Sequence, residues 1–380
     1  MDSNFNASTM YNYFFNCINL TGSAVCGPNV TDMDSTYYNC TNLTGSAVCG
    51  DKVTNMHRAY SSCNNLTTAA CGSNVTDMSY AYSYCYSLTT AACGPNVTNM
   101  HNTYSSCNNL TTAVCGDNVT SMGGTYDNCT NLTTAACGSN VTNMYCTYEN
   151  CTNLTTAVCG DNVINMHNTY KNCINLRVAA CGNSISSLGS LKNTVYRGCD
   201  NLEVAACGLG VTDMTYAYSE FYNLKTPACG SRVKTMAHAY RACHNLTTAV
   251  CGPNVTNMSY AYSYCYSLTT AVCGPNVTNM YRTYENCTNL TGSAVCGPNV
   301  VNMAYAYSNC TNLTTAACGD NVTNAYGAYL NCTNLKVAVC GNKIATLTDI
   351  GNMYKGCYNI EIPACPNHIT NLADFAFIAY

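Results

Sequence analysis

Charge is scarce in this chain. Asp, Glu, Lys and Arg supply 8% of its 380 residues, about a third of the roughly 25% usual in soluble proteins. Its 14 Lys+Arg against 18 Asp+Glu leave a net charge of −4, which argues against nucleic acid as a partner, because reading phosphate needs clustered cations. Tryptophan is absent and phenylalanine occurs six times, so the interior must be built from other side chains. No apolar run reaches 18 residues, which excludes a membrane-inserted helix. The opening MDSNFNASTMYNYFF has no basic segment ahead of a long apolar stretch, so neither a secretion signal nor an anchor is visible. Glycine-rich phosphate loops, paired carboxylates and nucleophile–base–orienter sets are also missing. The chain therefore reads as a non-enzyme with no cofactor and no metal-ligand motif.

What is abundant is periodic. There are 32 Cys and 32 Tyr, and Cys-Gly recurs from Cys26 through Cys49, Cys71 and Cys93 to Cys340, with Cys365-Pro closing the series. The commonest step is 22 residues. It becomes 23 where TGSA replaces TTA, 26 from Cys181 to Cys207 and 25 from Cys340 to Cys365. Residues 245–265, NLTTAVCGPNVTNMSYAYSYC, represent the unit, and about sixteen such units fill the chain without a linker. This predicts one domain over residues 1–380, with residues 1–16 a partial first coil and residues 366–380 a partial coil or cap.

A period of 20–29 residues with fixed apolar slots marks a solenoid with one coil per repeat. Leu246, Ala249 and Cys251 are expected to point inward from a short parallel strand, with Thr247, Thr248 and Val250 outward. Gly252 and Pro253 end the strand. Val255 and Met258 line the next side, and residues 258–262 are expected to form a short helical or 3₁₀ turn that carries Tyr262 inward before Cys265 at the corner. One coil cannot stand alone. Burying about six modest side chains gives roughly 9–18 kcal/mol, against about 22–44 for ordering its backbone, and stacking reverses that sign.

The stretches MSYAYSYCYSLTTAACGPNVTNM (78–100) and MYRTYENCTNLTGSAVCGPNV (280–300) resemble the repeat of the BspA-like leucine-rich-repeat family over almost the whole chain. The resemblance implies a β-rich leucine-rich-repeat solenoid. It also implies a non-enzymatic protein exposed on a cell or virion surface, used in adhesion or protein recognition. This sequence departs from the family in three ways: Tyr takes the usual Phe slot, Ala and Cys replace larger strand aliphatics, and no anchor accompanies the array.

Two surfaces are candidates for binding. The strand side presents Thr68, Thr90, Thr112, Thr134, Thr156, Thr248 and Thr270, each followed two residues later by Ala70, Ala92, Val114, Ala136, Val158, Val250 and Val272. This uncharged lattice suits a protein partner or a second copy, and regular Thr arrays also occur on ice-binding solenoids. The second candidate is a charged patch of Arg177, Lys192, Arg197, Lys225, Arg232, Lys234 and Arg241 in the irregular central coils. Uncapped ends of the array offer a third possibility, self-association into a structural fibre or attachment to a larger particle.

The remaining ladders read as structure. The corner cysteines share their column with Phe221, a hydrophobe's substitute, so the thiols are expected to be reduced packing groups. No CxxC or Cys/His spacing points to metal. His57, His101 and His167 stand two or three coils apart and cannot chelate together. The many Asn-X-Thr triplets, such as Asn245-Leu-Thr and Asn254-Val-Thr, belong to the turn template.

Overall fold

The computed structural model describes residues 7–189, 195–339 and 350–364. The chain divides into two compact units, Met1–Ile185 with Asn193–Asp200, and Ser186–Lys192 with Asn201–Tyr380. Each is a parallel β-solenoid, with about fourteen turns in all. The expected cap at residues 366–380 lies outside the described residues.

Leucine, valine, methionine, tyrosine and the corner cysteine fill the interior, as the period requires. Leu246, Val255, Met258, Tyr262 and Cys265 are all fully buried. Core tyrosines stack from coil to coil with centroids 5.3–5.7 Å apart, from Tyr37 to Tyr196 in the first unit and from Tyr218 to Tyr354 in the second. From Cys63 onward the corner thiols donate to the tyrosine carbonyl of an earlier coil, Cys107 Sγ to Tyr82 at 3.0 Å and Cys265 Sγ to Tyr240 at 3.1 Å. Every cysteine among the described residues is a free thiol.

The strand side is less regular than expected. In the first unit β1 (Gly22–Val25), β2 (Leu43–Val48) and β3 (Leu66–Thr68) pair in parallel in that order. The second unit carries β4 (Gly292–Val295), β5 (Leu313–Ala317), β6 (Val337–Val339) and β7 (Ile362–Ala364) in parallel. In the coils between, the described ladder shrinks to isolated bridges such as Thr68–Thr90 and Thr112–Thr134. The reason is the tyrosine hydroxyl, which both donates and accepts. Val114 N–H donates to Tyr126 Oη at 2.8 Å, and that hydroxyl donates back to the Val114 carbonyl at 2.7 Å. The same clasp, always twelve residues apart, holds Ala92 to Tyr104, Val250 to Tyr262 and Val272 to Tyr284. Burial raises the tyrosine pKa well above its ordinary value, so the proton stays available for donation.

Two expectations are corrected here. Of the three side chains expected inward, Leu246 is buried but Ala249 and Cys251 are half-buried, because the clasp turns the neighbouring peptide groups toward the interior. The turn before the corner is not helical either, and no helix occurs among the described residues. Instead, Arg58 (φ 51°) and Ser62 (φ 63°) are left-handed. Ala59 N–H and Cys63 N–H close tight turns onto Met56 and Tyr60. A positive φ at the third residue of such a turn defines type II. Between them, the N–H groups of Arg58, Tyr60 and Ser62 donate to Ser79, Ala81 and Ser83 one coil on, at 2.7–3.0 Å. Each left-handed residue costs about 1–2 kcal/mol, and each hydrogen bond returns about 0.5–1.5. Burial of the tyrosine between the turns decides the balance.

A second axial ladder runs through the residue before each methionine, for example Asn55–Asp77–Asn99 and Asn257–Asn279–Asn302. The glycine after each strand-end cysteine is set by close approach. A Cβ on Gly72 would lie 2.6 Å from the Gly50 carbonyl oxygen and 3.3 Å from Cys49 Sγ.

Candidate functional site

The clasp shapes the strand side, which is the leading candidate. With both peptide groups of Ala92, Val114 or Val250 directed at a tyrosine, their side chains lie along the surface and are half-buried; Val158 is exposed. Ala70, Ala136 and Val272 are half-buried in the same way. The threonines two residues earlier project further. Thr90, Thr112, Thr134 and Thr156 in the first unit are exposed, as are Thr248 and Thr270 in the second. Thr68 is half-buried and donates to Ser46 Oγ at 2.7 Å. The threonines one position before are spent on structure: Thr89 and Thr133 Oγ1 donate at 3.0 Å to the carbonyls of Thr67 and Thr111. Each unit thus presents a column of hydroxyl-and-methyl side chains beside a column of Ala and Val, without charge.

The charged residues are not gathered in this way. Arg177 and Lys225 follow the strand-side leucine. Arg232 and Lys234 flank Val233 on the second side, and Arg197 and Arg241 follow the core tyrosine on the third. In the second unit Lys225 pairs with Glu203 at 2.9 Å, and Arg241 with Glu220 at 2.9 Å while its guanidinium lies 5.6 Å from the Tyr264 ring centre. Lys192 lies outside the described residues.

An aromatic column escaped the sequence reading. In the second unit His238 stacks between Tyr216 and Tyr260 at 4.4 Å on each side, and the next residue in that slot, Arg282, lies 4.6 Å from the Tyr305 ring centre and pairs with Glu285 at 2.9 Å. Burial, with Arg241 nearby, lowers the His238 pKa. In the first unit His167 stacks on Tyr145, whereas His57 and His101 meet the Tyr80 ring edge to face. The available signal was Tyr216, His238 and Tyr260 in one slot of three consecutive units. A shallow groove of 520 Å³ on the second side is lined by residues including Asn254, Thr256, Asn276 and Thr278. There Asn276 Nδ2 donates to the Pro253 carbonyl at 2.8 Å, so that sequon amide serves the stack.

The sequence matches the family described as a BspA type leucine rich repeat region (6 copies) over residues 3–89, 31–155, 79–203, 166–291 and 284–379. No curated protein matches it. Among solved structures, a leucine-rich repeat protein from Bacteroides ovatus is similar at 15% identity and TM-score 0.54, over 90% of this chain and 85% of that one. A leucine-rich cell surface protein from Faecalibacterium prausnitzii matches at 18% identity and TM-score 0.35, over 82% and 83%. The pneumococcal vaccine antigen PcpA matches at 11% and 0.37, over 91% and 78%.

Proposed function

The chain belongs to the BspA-type leucine-rich-repeat family, and from that premise we propose that it is a non-catalytic, surface-exposed repeat protein that recognises a protein partner through its strand side. One observation carries the reading: the exposed threonines Thr90, Thr112, Thr134 and Thr156 run beside half-buried Ala92, Val114 and Ala136 and exposed Val158, with no charge among them. Such a surface loses little on desolvation and packs against a partner's apolar and hydroxyl-bearing side chains. The charged central residues support recognition less, because Lys225 and Arg241 already have acidic partners.

The test is a triple variant, Thr112→Lys, Thr134→Lys and Thr156→Lys, compared with Lys225→Ala/Arg241→Ala. Binding of fluorescent protein to intact cells and to immobilised extracellular-matrix proteins would be measured. The threonine variant should lower retention at least tenfold and the charge variant should leave it unchanged. The reverse pattern would move recognition to the central coils. Thermal hysteresis by the unmodified chain, with no retention on any protein, would assign the face to ice.

A further inference from the structure

The strand-end thiols do not stand alone. Eight of them, from Cys71 to Cys273, run beside the methionine seven residues on. Cys71 Sγ lies 3.5 Å from Met78 Sδ and Cys159 Sγ 3.5 Å from Met166 Sδ in the first unit. In the second, Cys251 lies 3.6 Å from Met258 and Cys273 lies 3.5 Å from Met280. These cysteines are half-exposed while the methionines are buried, so each sulfur pair has one face toward solvent and one toward the dry interior. Corner thiols such as Cys265 differ: they are fully buried and their S–H groups are engaged by tyrosine carbonyls.

Among the described residues no three His, Cys, Asp or Glu side chains gather as a ligand set, so carboxylate- and imidazole-rich coordination is not on offer. Thiolate with thioether is the donor set that selects soft monovalent ions. We propose that the strand-end Cys–Met pairs are binding sites for a soft monovalent metal ion, Cu(I) or Ag(I), one ion to a pair. With metal–sulfur bonds of about 2.3 Å, the 3.6 Å separation of Cys251 and Met258 subtends about 100° at the ion. That angle leaves room for a third sulfur, and the next strand-end thiol stands one coil away, about 4.8 Å along the stack. Binding exchanges one proton for one cation: the S–H bond breaks, the proton leaves to solvent, and the new thiolate and the neutral thioether each donate an electron pair. The charge of the site is unchanged and no oxidant enters.

The test titrates the reduced, full chain anaerobically with Cu(I) against a chromophoric Cu(I) chelator. A Met258→Leu/Met280→Leu variant keeps apolar volume and removes two thioethers, a volume-conserving exchange that cores tolerate. It should bind two fewer ions, or bind them at least tenfold more weakly, with an unchanged circular dichroism spectrum. Cys265→Ala should leave the ion count as it was. In a second readout, Ag(I) loading should protect Cys251 and Cys273 from iodoacetamide, as read by peptide mass spectrometry, whether or not the leucine variant folds. An undiminished ion count and affinity in that variant, or unprotected strand-end thiols, would overturn the assignment.

Discussion

Val272 and Val295 occupy the same slot one coil apart, yet their peptide groups go to different partners. Val272 is clasped by Tyr284, whose hydroxyl accepts its N–H at 2.9 Å and donates to its carbonyl at 2.6 Å. Val295 pairs with Ala317 in the β4–β5 ladder, and Tyr307, which stands where its clasp would come from, has a buried hydroxyl with no hydrogen-bond partner. The local sequences, LTTAV and LTGSAV, differ by one inserted glycine and by serine in place of threonine. TGSA inserts Gly292, left-handed at φ 75°, and the extra length lets the segment lie flat against its neighbour. The first unit repeats the contrast: Tyr37 and Tyr60 meet only the carbonyls of Val25 and Val48, beside Gly22 and Gly45, whereas Tyr126 and Tyr148 make both bonds. Where TGSA inserts a glycine, the ladder meets the strand-side backbone and the full clasp is lost; β5 joins the ladder without that glycine, its Ala317 carbonyl still accepting from Tyr329 at 3.2 Å.

The sharpest way to break this comparison is to remove the hydroxyl from each class of coil. Tyr126→Phe leaves the N–H and C=O of Val114 unmet and should destabilise its coil by about 2–6 kcal/mol, at about 1–3 per orphaned group. Tyr307→Phe removes a hydroxyl with no hydrogen-bond partner and should be neutral or stabilising. Native-state hydrogen exchange at Val114 and at Val295 measures both locally, which suits a repeat array better than a global melt. Equal effects would dissolve the distinction.

A smaller effect is expected where the choice is made. Gly292→Ala has open space around its Cβ but keeps the left-handed backbone, so it should cost about 1–2 kcal/mol. Deleting Gly292 should instead convert the coil to the clasped class, and the amide of Val295 should then exchange at the rate of Val272.

The smallest effect compares the third sides of the coils. Asp127 is half-buried, and burial first, then the Glu149 carboxylate on the next coil, push its pKa up to about 6. A raised folded-state value means that the folded protein binds this proton more tightly than the unfolded chain does. The contribution is therefore full below the unfolded value near 4 and fades as pH rises through about 6. Asp127→Asn should flatten the dependence of coil stability between pH 4 and 7, visible as a loss of the pH sensitivity of amide exchange at Asn128. The corresponding slot in two second-unit coils holds Ser263 and Ser308, and amides there should show no such slope.

Much of this architecture was legible in the periodicity. Leu246, Val255, Met258, Tyr262 and Cys265 recur because each fills the same buried slot in every coil, and burial is the strongest constraint that a repeat writes into its residues. What escaped was backbone detail that side-chain periodicity does not encode. Tyr80, Arg58 and Tyr216 are poor candidates for a left-handed turn by intrinsic preference, and the axial hydrogen bonds of the stack hold them there. The clasp left one trace, tyrosine in place of phenylalanine, but its partner lies twelve residues upstream on another side of the coil. Of the candidate surfaces, the threonine column could be read directly, since outward slots follow from inward ones. The scatter of Arg232, Lys234 and Arg241 over two sides required the path of the coil.

The axial bonds of the core tyrosines recur at one offset, each tyrosine N–H donating to the residue just before the tyrosine one coil on: Tyr60 to Ala81, Tyr82 to Thr103, Tyr104 to Thr125. Such a bond is indifferent to which copy supplies its acceptor. A stretch of DNA encoding 22 amino acids, duplicated or excised in frame, would rejoin the array with every interlayer bond restored. Extent in this protein is thus a quantity that inheritance can lengthen or shorten in whole steps without redesigning a single contact.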